Sequence, residues 1–346
     1  MYIIGTVGPT VKDRNALKGI IDNGANALRL NFAHGSGEQF LEFLEMAKEI
    51  KKDINIILDI SGTKIRISNK FQYIYKLYDG EDIIFCGEDI YEKLKTTLNY
   101  KLVKIIPLNI KNNILYKNNY NIITIKDNTM IFEVIEKQNN IIKAKVVKGG
   151  IVRKGKGCNI KNLDRSVLSL SKEDKMAILW GIKNNVDIIC QSFVENKEDV
   201  KSIKNFIDQH KTDDTNIKIW AKIETLNGVK NIDKIIEEAD GIVIGRGDLI
   251  PETSIEDTPM YEEKIISEVS KNKDKDLVIA THLFNSMKVG KMPYLAEVES
   301  IYNFMRKGVT GFLLAGETSV GKAPVKTVKF LKNLIYKYEN IIKEEK

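Results

Sequence analysis

Cysteine is scarce and badly placed for bridging. Cys86, Cys158 and Cys190 are the only three, widely separated and without CxxC spacing, which excludes a disulfide framework and a thiolate zinc site and leaves three buried thiols. No run of about 18 apolar residues occurs, so no membrane partner is expected. Met1 leads into "YIIGTVG" without the basic, apolar, small-residue order of a secretory signal, and a cytoplasmic location is the expectation. Arginine is sparse too. The net charge of +7 on 346 residues comes almost wholly from lysines, and they are scattered rather than gathered into a patch, which argues against nucleic acid as a partner. The few arginines carry more information, because Arg29, Arg66 and Arg246 fall beside predicted strand ends.

What is present is a repeated unit. The chain is 43% hydrophobic, ample for a packed core. Short apolar runs recur eight times, at 2–7, 27–32, 55–60, 186–193, 217–224, 240–245, 276–281 and 311–316. Amphipathic segments lie between them, among them 37–51, 172–185, 196–209, 227–238, 258–271, 295–307 and 323–341. Eight strand–helix units predict an α/β fold, a closed (β/α)8 TIM barrel. About a hundred residues interrupt the rhythm after the third strand. Runs such as "YIYKLY", "NIITI", "MIFEVIE" and "IIKAKVV", separated by Asn, Gly and Asp, predict a small inserted β domain. The expected division is a catalytic barrel from 1–66 and 161–346 and an inserted lid over 67–160.

In "IKIWAKIETLNG", side chains alternate across a strand, so Lys222 and Glu224 share a face with Trp220. Two charges at the end of a buried strand require partners or a ligand. The strand ends of a TIM barrel gather working residues, here Arg29, Asn31, His34, Asp59, Lys64, Arg66, Ser192, Lys222, Glu224, Arg246, Asp248, Thr281, His282, Glu317 and Thr318. Glu224 and Asp248, from neighbouring strands, suit a hard divalent ion such as Mg2+ or Mn2+. Lys222 beside them is placed to neutralise a transferring phosphoryl group. "GRGDL" (245–249) leads from a strand into a predicted turn where small residues leave backbone N–H groups accessible, a cradle for an anion such as a carboxylate. A barrel with a metal and enolate stabilisation can also support lyase chemistry, since fold alone does not set the reaction.

The ordered set "GTVGPT", "ALRLNFAHGS", "LDISGTKIR", "KGKGCNI", "SFVENKEDV", "AKIETLNGV", "GRGDL", "IATHLFNSM" and "LLAGETSVGKAP" resembles the pyruvate kinase family over nearly the whole chain. The resemblance implies phosphoryl transfer between phosphoenolpyruvate and ADP. It implies Lys222 on the phosphoryl group, Glu224 and Asp248 on Mg2+, and Thr281 on the protonation side of the enolate. It further implies the backbone at Gly247 and Asp248 on the carboxylate, and Arg29 and Arg66 on phosphate. Pro9, Asn31, His34 and Lys156 would meet the nucleotide, and Asp127 occupies a matching position in the insert.

Departures narrow the expectation. Lys64 stands where many members carry the glutamate that accompanies K+ dependence, and Ala33 and Ile60 replace hydroxyl-bearing K+ ligands, leaving Asn31 and Asp59. A fixed ammonium at Lys64 is therefore the expected K+ surrogate, and no K+ is expected. Gln39 replaces a common aromatic, Glu195 a common arginine after "SFV", "IPETSIEDTP" lacks the family's glycine and "EIP", and "PYLAE" lacks the arginine of "PTRAE". The family's carboxyl-terminal domain, with its allosteric site, has no counterpart in this sequence, so neither regulation nor tetramers are expected; a monomer or homodimer is. Two alternatives stay open: a kinase of another small hydroxyl acceptor, and a metabolite-binding protein without turnover.

Overall fold

A computed structural model describes residues 1–98, 103–126, 128–211 and 216–344. Packing divides the chain into two compact units. One comprises Met1–Gly62, Ser169–Gly247 and Asp257–Lys346, and the other Thr63–Leu168 with Asp248–Glu256.

The first unit is the barrel. Its eight parallel strands are Tyr2–Thr6, Ala27–Asn31, Asn55–Ile60, Ile188–Gln191, Lys218–Ile223, Gly241–Gly245, Asp276–Ala280 and Gly311–Leu314, and each pairs with its neighbours in chain order. The last closes on the first, with Tyr2 opposite Gly311 and Gly5 opposite Leu314. At the carboxyl end of this seam the Thr6 N–H donates to Thr318 Oγ1 at 2.8 Å and the hydroxyl donates back to the Thr6 carbonyl at 3.1 Å. Every strand lies within two residues at each end of a run predicted from hydrophobic pattern, the fourth being trimmed by two at both ends and the last by two at one.

Inward-facing side chains fill the barrel: Ile4, Ala27, Ile57, Ile188, Cys190, Trp220, Val243, Val278, Ala280 and Leu313 form one buried cluster. Trp220 is the largest of them and meets Tyr2 edge to face, centroids 5.3 Å apart. A Cβ at Gly241 would lie 2.6 Å from the indole, so the neighbouring strand must carry glycine there for the ring to fit. Side chains two and four residues beyond Trp220 therefore rise on the same face, above the apolar layer.

Around the strands, helices such as Gly37–Ile50, Lys172–Lys183, Lys197–Asp208 and Pro324–Glu344 supply the outer ring. The predicted helix over 227–238 is two, Leu226–Lys230 and Ile232–Glu238, parted at Asn231. The expected turn at "GRGDL" is helical from its second residue, Arg246–Glu252, with no loop after the strand. Helix Arg14–Asp22, capped by Asp13 accepting from the Ala16 N–H, completes the first unit.

The second unit is built on a seven-stranded sheet in the order Ile65–Arg66, Gly157–Asn159, Ile122–Ile125, Met130–Gln138, Ile141–Lys148, Asp82–Gly87 and Ile105–Leu108. An Ile67–Leu108 bridge nearly joins its two edges. Phe71, Phe85, Phe132, Ile123 and Ile142 are among the residues of its own buried core. Beyond the four predicted runs it adds Asp82–Gly87 and Ile105–Leu108, whose continuous burial hides any alternation, and helices Tyr91–Thr97 and Asn112–Lys117. The three cysteines are buried thiols, as expected.

Candidate active site

In the barrel unit the charged side chains converge on Asp59. This carboxylate ends the third strand, is 1% exposed, and accepts from Lys222 Nζ at 2.6 Å, Arg29 Nε at 2.7 Å and Ser192 Oγ at 3.1 Å. Lys222 also donates to Ser192 Oγ at 2.9 Å. Burial alone would raise the Asp59 carboxyl, but Arg29 and Lys222 outweigh it and bring it down to about 2. Burial likewise pulls the Lys222 ammonium down, yet Asp59 and then Glu224 outweigh it and leave it raised. Both groups are ionised at neutral pH, so Lys222 is a fixed cation with its desolvation already compensated.

Glu224, 5% exposed, accepts from the Phe193 N–H at 3.1 Å. Its carboxyl lies against the backbone of Gly245, where a Cβ would come within 2.5–2.9 Å of Glu224 Cγ, Cδ and Oε1. Only glycine in the adjoining strand leaves that space. Gly247 donates its N–H to Thr281 Oγ1 at 2.7 Å, and this hydroxyl donates to the Ala280 carbonyl at 2.5 Å. Thr281 and His282 both adopt left-handed backbone conformations, φ 68° and 53°, which for a β-branched threonine is unfavourable by about 1–3 kcal/mol. Arg246 spans the turn: Nε and Nη2 donate to the Thr281 carbonyl at 3.0 and 2.7 Å, and Nη2 to the His282 carbonyl at 2.9 Å. Glu317 Oε1 accepts from the Leu283 and Phe284 N–H groups, both at 3.3 Å. Pro9 opens a short 3-10 turn at Pro9–Val11. Asn31 shapes the following loop, its side chain accepting from the Ala33 N–H and its carbonyl from the His34 N–H.

In the second unit Lys64 Nζ contacts Asp248 Oδ2 at 2.6 Å, and Asn159 Nδ2 donates to Asp248 Oδ1 at 3.1 Å. One helical turn on, Glu252 Oε1 accepts from Arg165 Nη2 at 2.8 Å and from Asn159 Nδ2 and the Ile160 N–H, both at 3.2 Å. Arg66 donates to the Gly155 carbonyl at 3.1 Å. Lys156 donates to the Ile151 carbonyl. Partial burial, with the charges of Lys126 and Arg153, lowers its ammonium pKa. Asp127 lies outside the described residues.

The structure thus unites Arg29, Ser192 and Lys222 around an acceptor, Asp59, that the strand-end pattern marked only as one polar residue among many. It groups Gly247 with Thr281, and Lys64 with Asp248. Three residues escaped sequence reasoning. Glu252 and Arg165 form a buried pair that no local motif announces, although Arg165 is a rare arginine in a lysine-rich chain. Asp174, 3% exposed, accepts from the Ser61 N–H at 3.0 Å at the end of the third strand. Burial pushes its carboxyl up to about 6, and its Oδ2 has no hydrogen-bond partner.

No helix among the described residues is long and apolar enough to cross a membrane. The family pattern described as "Pyruvate kinase, barrel domain" matches residues 1–328. The pyruvate kinase of Clostridium perfringens is 30% identical over 345 residues, which cover 97% of this chain and 70% of that protein. That of Geobacillus stearothermophilus is 30% identical over 349 residues, covering 98% and 57%. That of Thermotoga maritima is 30% identical over 337 residues, covering 95% and 69%. With the barrel match spanning nearly the whole chain, this chain belongs to the pyruvate kinase family.

Proposed function

We propose that this protein transfers a phosphoryl group between phosphoenolpyruvate and ADP, using Mg2+ or Mn2+ and no K+. The observation that carries the reading is the fixed Lys222 ammonium, buried beside Arg29 and held by Asp59 and Ser192. Phosphoryl transfer asks a protein mainly for alignment and for charge stabilisation by groups that need not reorganise. Lys222 supplies that charge at the transferring group, and Arg29 and Arg66 meet phosphate oxygens.

Glu224 and Asp248 hold the divalent ion, which neutralises substrate charge when bound. Hard carboxylate oxygens fit Mg2+. Asp248 is shared with the Lys64 ammonium, and an ionised carboxylate, with about four lone-pair directions, can serve two cations. The Gly247 and Asp248 backbone receives the substrate carboxylate, with Ser192 on the substrate side and Thr281 on the face where the enolate is protonated. Pro9, Asn31, His34 and Lys156 meet the nucleotide.

Independence from K+ rests on three features. Ala33 and Ile60 lack hydroxyls, Asp59 is engaged by Arg29 and Lys222, and Lys64 places its side-chain nitrogen beside Asp248. One departure favours a different acceptor: Glu195, buried and bonded to Asn227 at 3.3 Å, puts a carboxyl where the family commonly has arginine. Pyruvate formation from phosphoenolpyruvate and ADP with Mg2+, with and without K+, tests the reading. Turnover without K+ is expected. A requirement for K+ would remove the surrogate role of Lys64, and absence of turnover together with phosphorylation of another alcohol would replace ADP chemistry with that alternative.

A further inference from the structure

Thr281 and His282 sit consecutively in the left-handed region, which a β-branched residue such as threonine rarely adopts. Strain of this kind persists only where the surroundings over-determine it. Here the restraint has one dominant source. The Arg246 guanidinium caps both carbonyls of the turn with three hydrogen bonds of 2.7–3.0 Å. It is itself fixed from two further sides, over the Phe304 ring at 5.4 Å and beside Glu262 at 3.8 Å. A guanidinium can make this planar, forked contact; an ammonium cannot reproduce it. The consequence falls on the Thr281 side chain. With the backbone turned this way, Oγ1 meets the Gly247 N–H at 2.7 Å and aims its proton at the Ala280 carbonyl at 2.5 Å.

We propose that Arg246 is a positioning residue for proton transfer: it holds Thr281 in its left-handed conformation and thereby sets the threonine hydroxyl beside Gly247. The inference rests on the proposed reading of Thr281 as lying on the protonation side of the enolate. It assigns Arg246 to the protonation step, not to the phosphoryl step governed by Lys222.

The two steps can be read separately. Exchange of the methyl protons of pyruvate for deuterium, followed by NMR in D2O with Mg2+ and ATP, reports a C–H bond broken to the enolate and a C–D bond remade. Formation of ATP from ADP and phosphoenolpyruvate reports phosphoryl transfer. Arg246→Met should slow methyl exchange at least tenfold more than it slows phosphoryl transfer. Binding of Mn2+, followed by electron paramagnetic resonance, should stay within about twofold of the parent protein. Arg246→Lys should recover part of the exchange.

Equal losses in both steps, or unchanged exchange, overturn the assignment. Should Arg246→Met not fold, Arg246→Lys decides: exchange reduced severalfold relative to phosphoryl transfer supports the proposal, and an unaltered ratio overturns it. Absence of methyl exchange in the unmodified protein, with Mn2+ still bound, would instead sink the underlying assignment of Thr281.

Discussion

Replacing Asp59 by asparagine keeps its shape and removes its charge, leaving Lys222 and Arg29 as two neighbouring buried cations. Asp59 takes three donors within 3.1 Å, and taking one partner from a buried ion pair is destabilising by about 3–5 kcal/mol. At roughly 2–4 °C per kcal/mol, the melting temperature should fall by about 6–20 °C at pH 7. Acid provides a check with a definite sign. Because the folded-state carboxyl lies at about 2, below its unfolded value, its contribution is fully present above about pH 4 and fades as pH falls through about 2. That contribution is about 2–3 kcal/mol, and most of it is lost by about pH 2.5. Urea unfolding of both proteins at pH 7 and pH 2.5, followed by circular dichroism, should therefore show the gap between them shrinking by about 1–2 kcal/mol in acid. A variant as stable as the parent at pH 7, or a gap of the same size at both pH values, would refute the argument that Asp59 holds the two cations.

Lys222→Met leaves Asp59 with Arg29 and Ser192, so the far-UV spectrum should be retained while phosphoryl transfer falls by roughly 10²–10³; activity within tenfold of the parent would remove Lys222 from its role. Asp174 carries a carboxyl raised to about 6, so the folded state holds an extra proton between about pH 4 and 6 and loses stability as pH rises through that window. Asp174→Asn should then be more stable than the parent by about 2–3 kcal/mol at pH 8 and show no gain at pH 4, in paired thermal melts. Glu252→Gln leaves Arg165 buried without its counter-charge and should destabilise its unit by about 3–5 kcal/mol, with faster hydrogen exchange at the Ile160 amide, whose acceptor is Glu252; unchanged protection there would place the anchoring elsewhere.

Legibility in the sequence follows the range of the interaction. The barrel strands were readable because each is a short apolar run between polar ends, and burial inside a closed sheet writes that pattern locally. Lys222 and Glu224 stood out because charge at a buried strand end violates the pattern. Their partners did not stand out, since the register that sets Asp59 against Lys222 joins residues 163 apart in sequence. Segment Asp248–Glu256 was read as part of the barrel sequence, yet it packs with the second unit through Asn159, Lys161 and Arg165. No composition shift marks that attachment. The left-handed turn at Thr281 was equally hidden, for a threonine there gives no hint of positive φ; a glycine would have.

The seam between the first and last strands has a consequence for biogenesis. Ile4 and Leu313 face each other across it, so the first strand, paired on one side with the second, keeps its other edge open until a strand far along the chain arrives. Until then both strands are open edges, prone to pair with the wrong neighbour, and ring closure over so long a loop is slow. The threonine clasp at Thr6 and Thr318 fastens that edge, and a chain halted short of it would expose adhesive strand edges to the cell's chaperones.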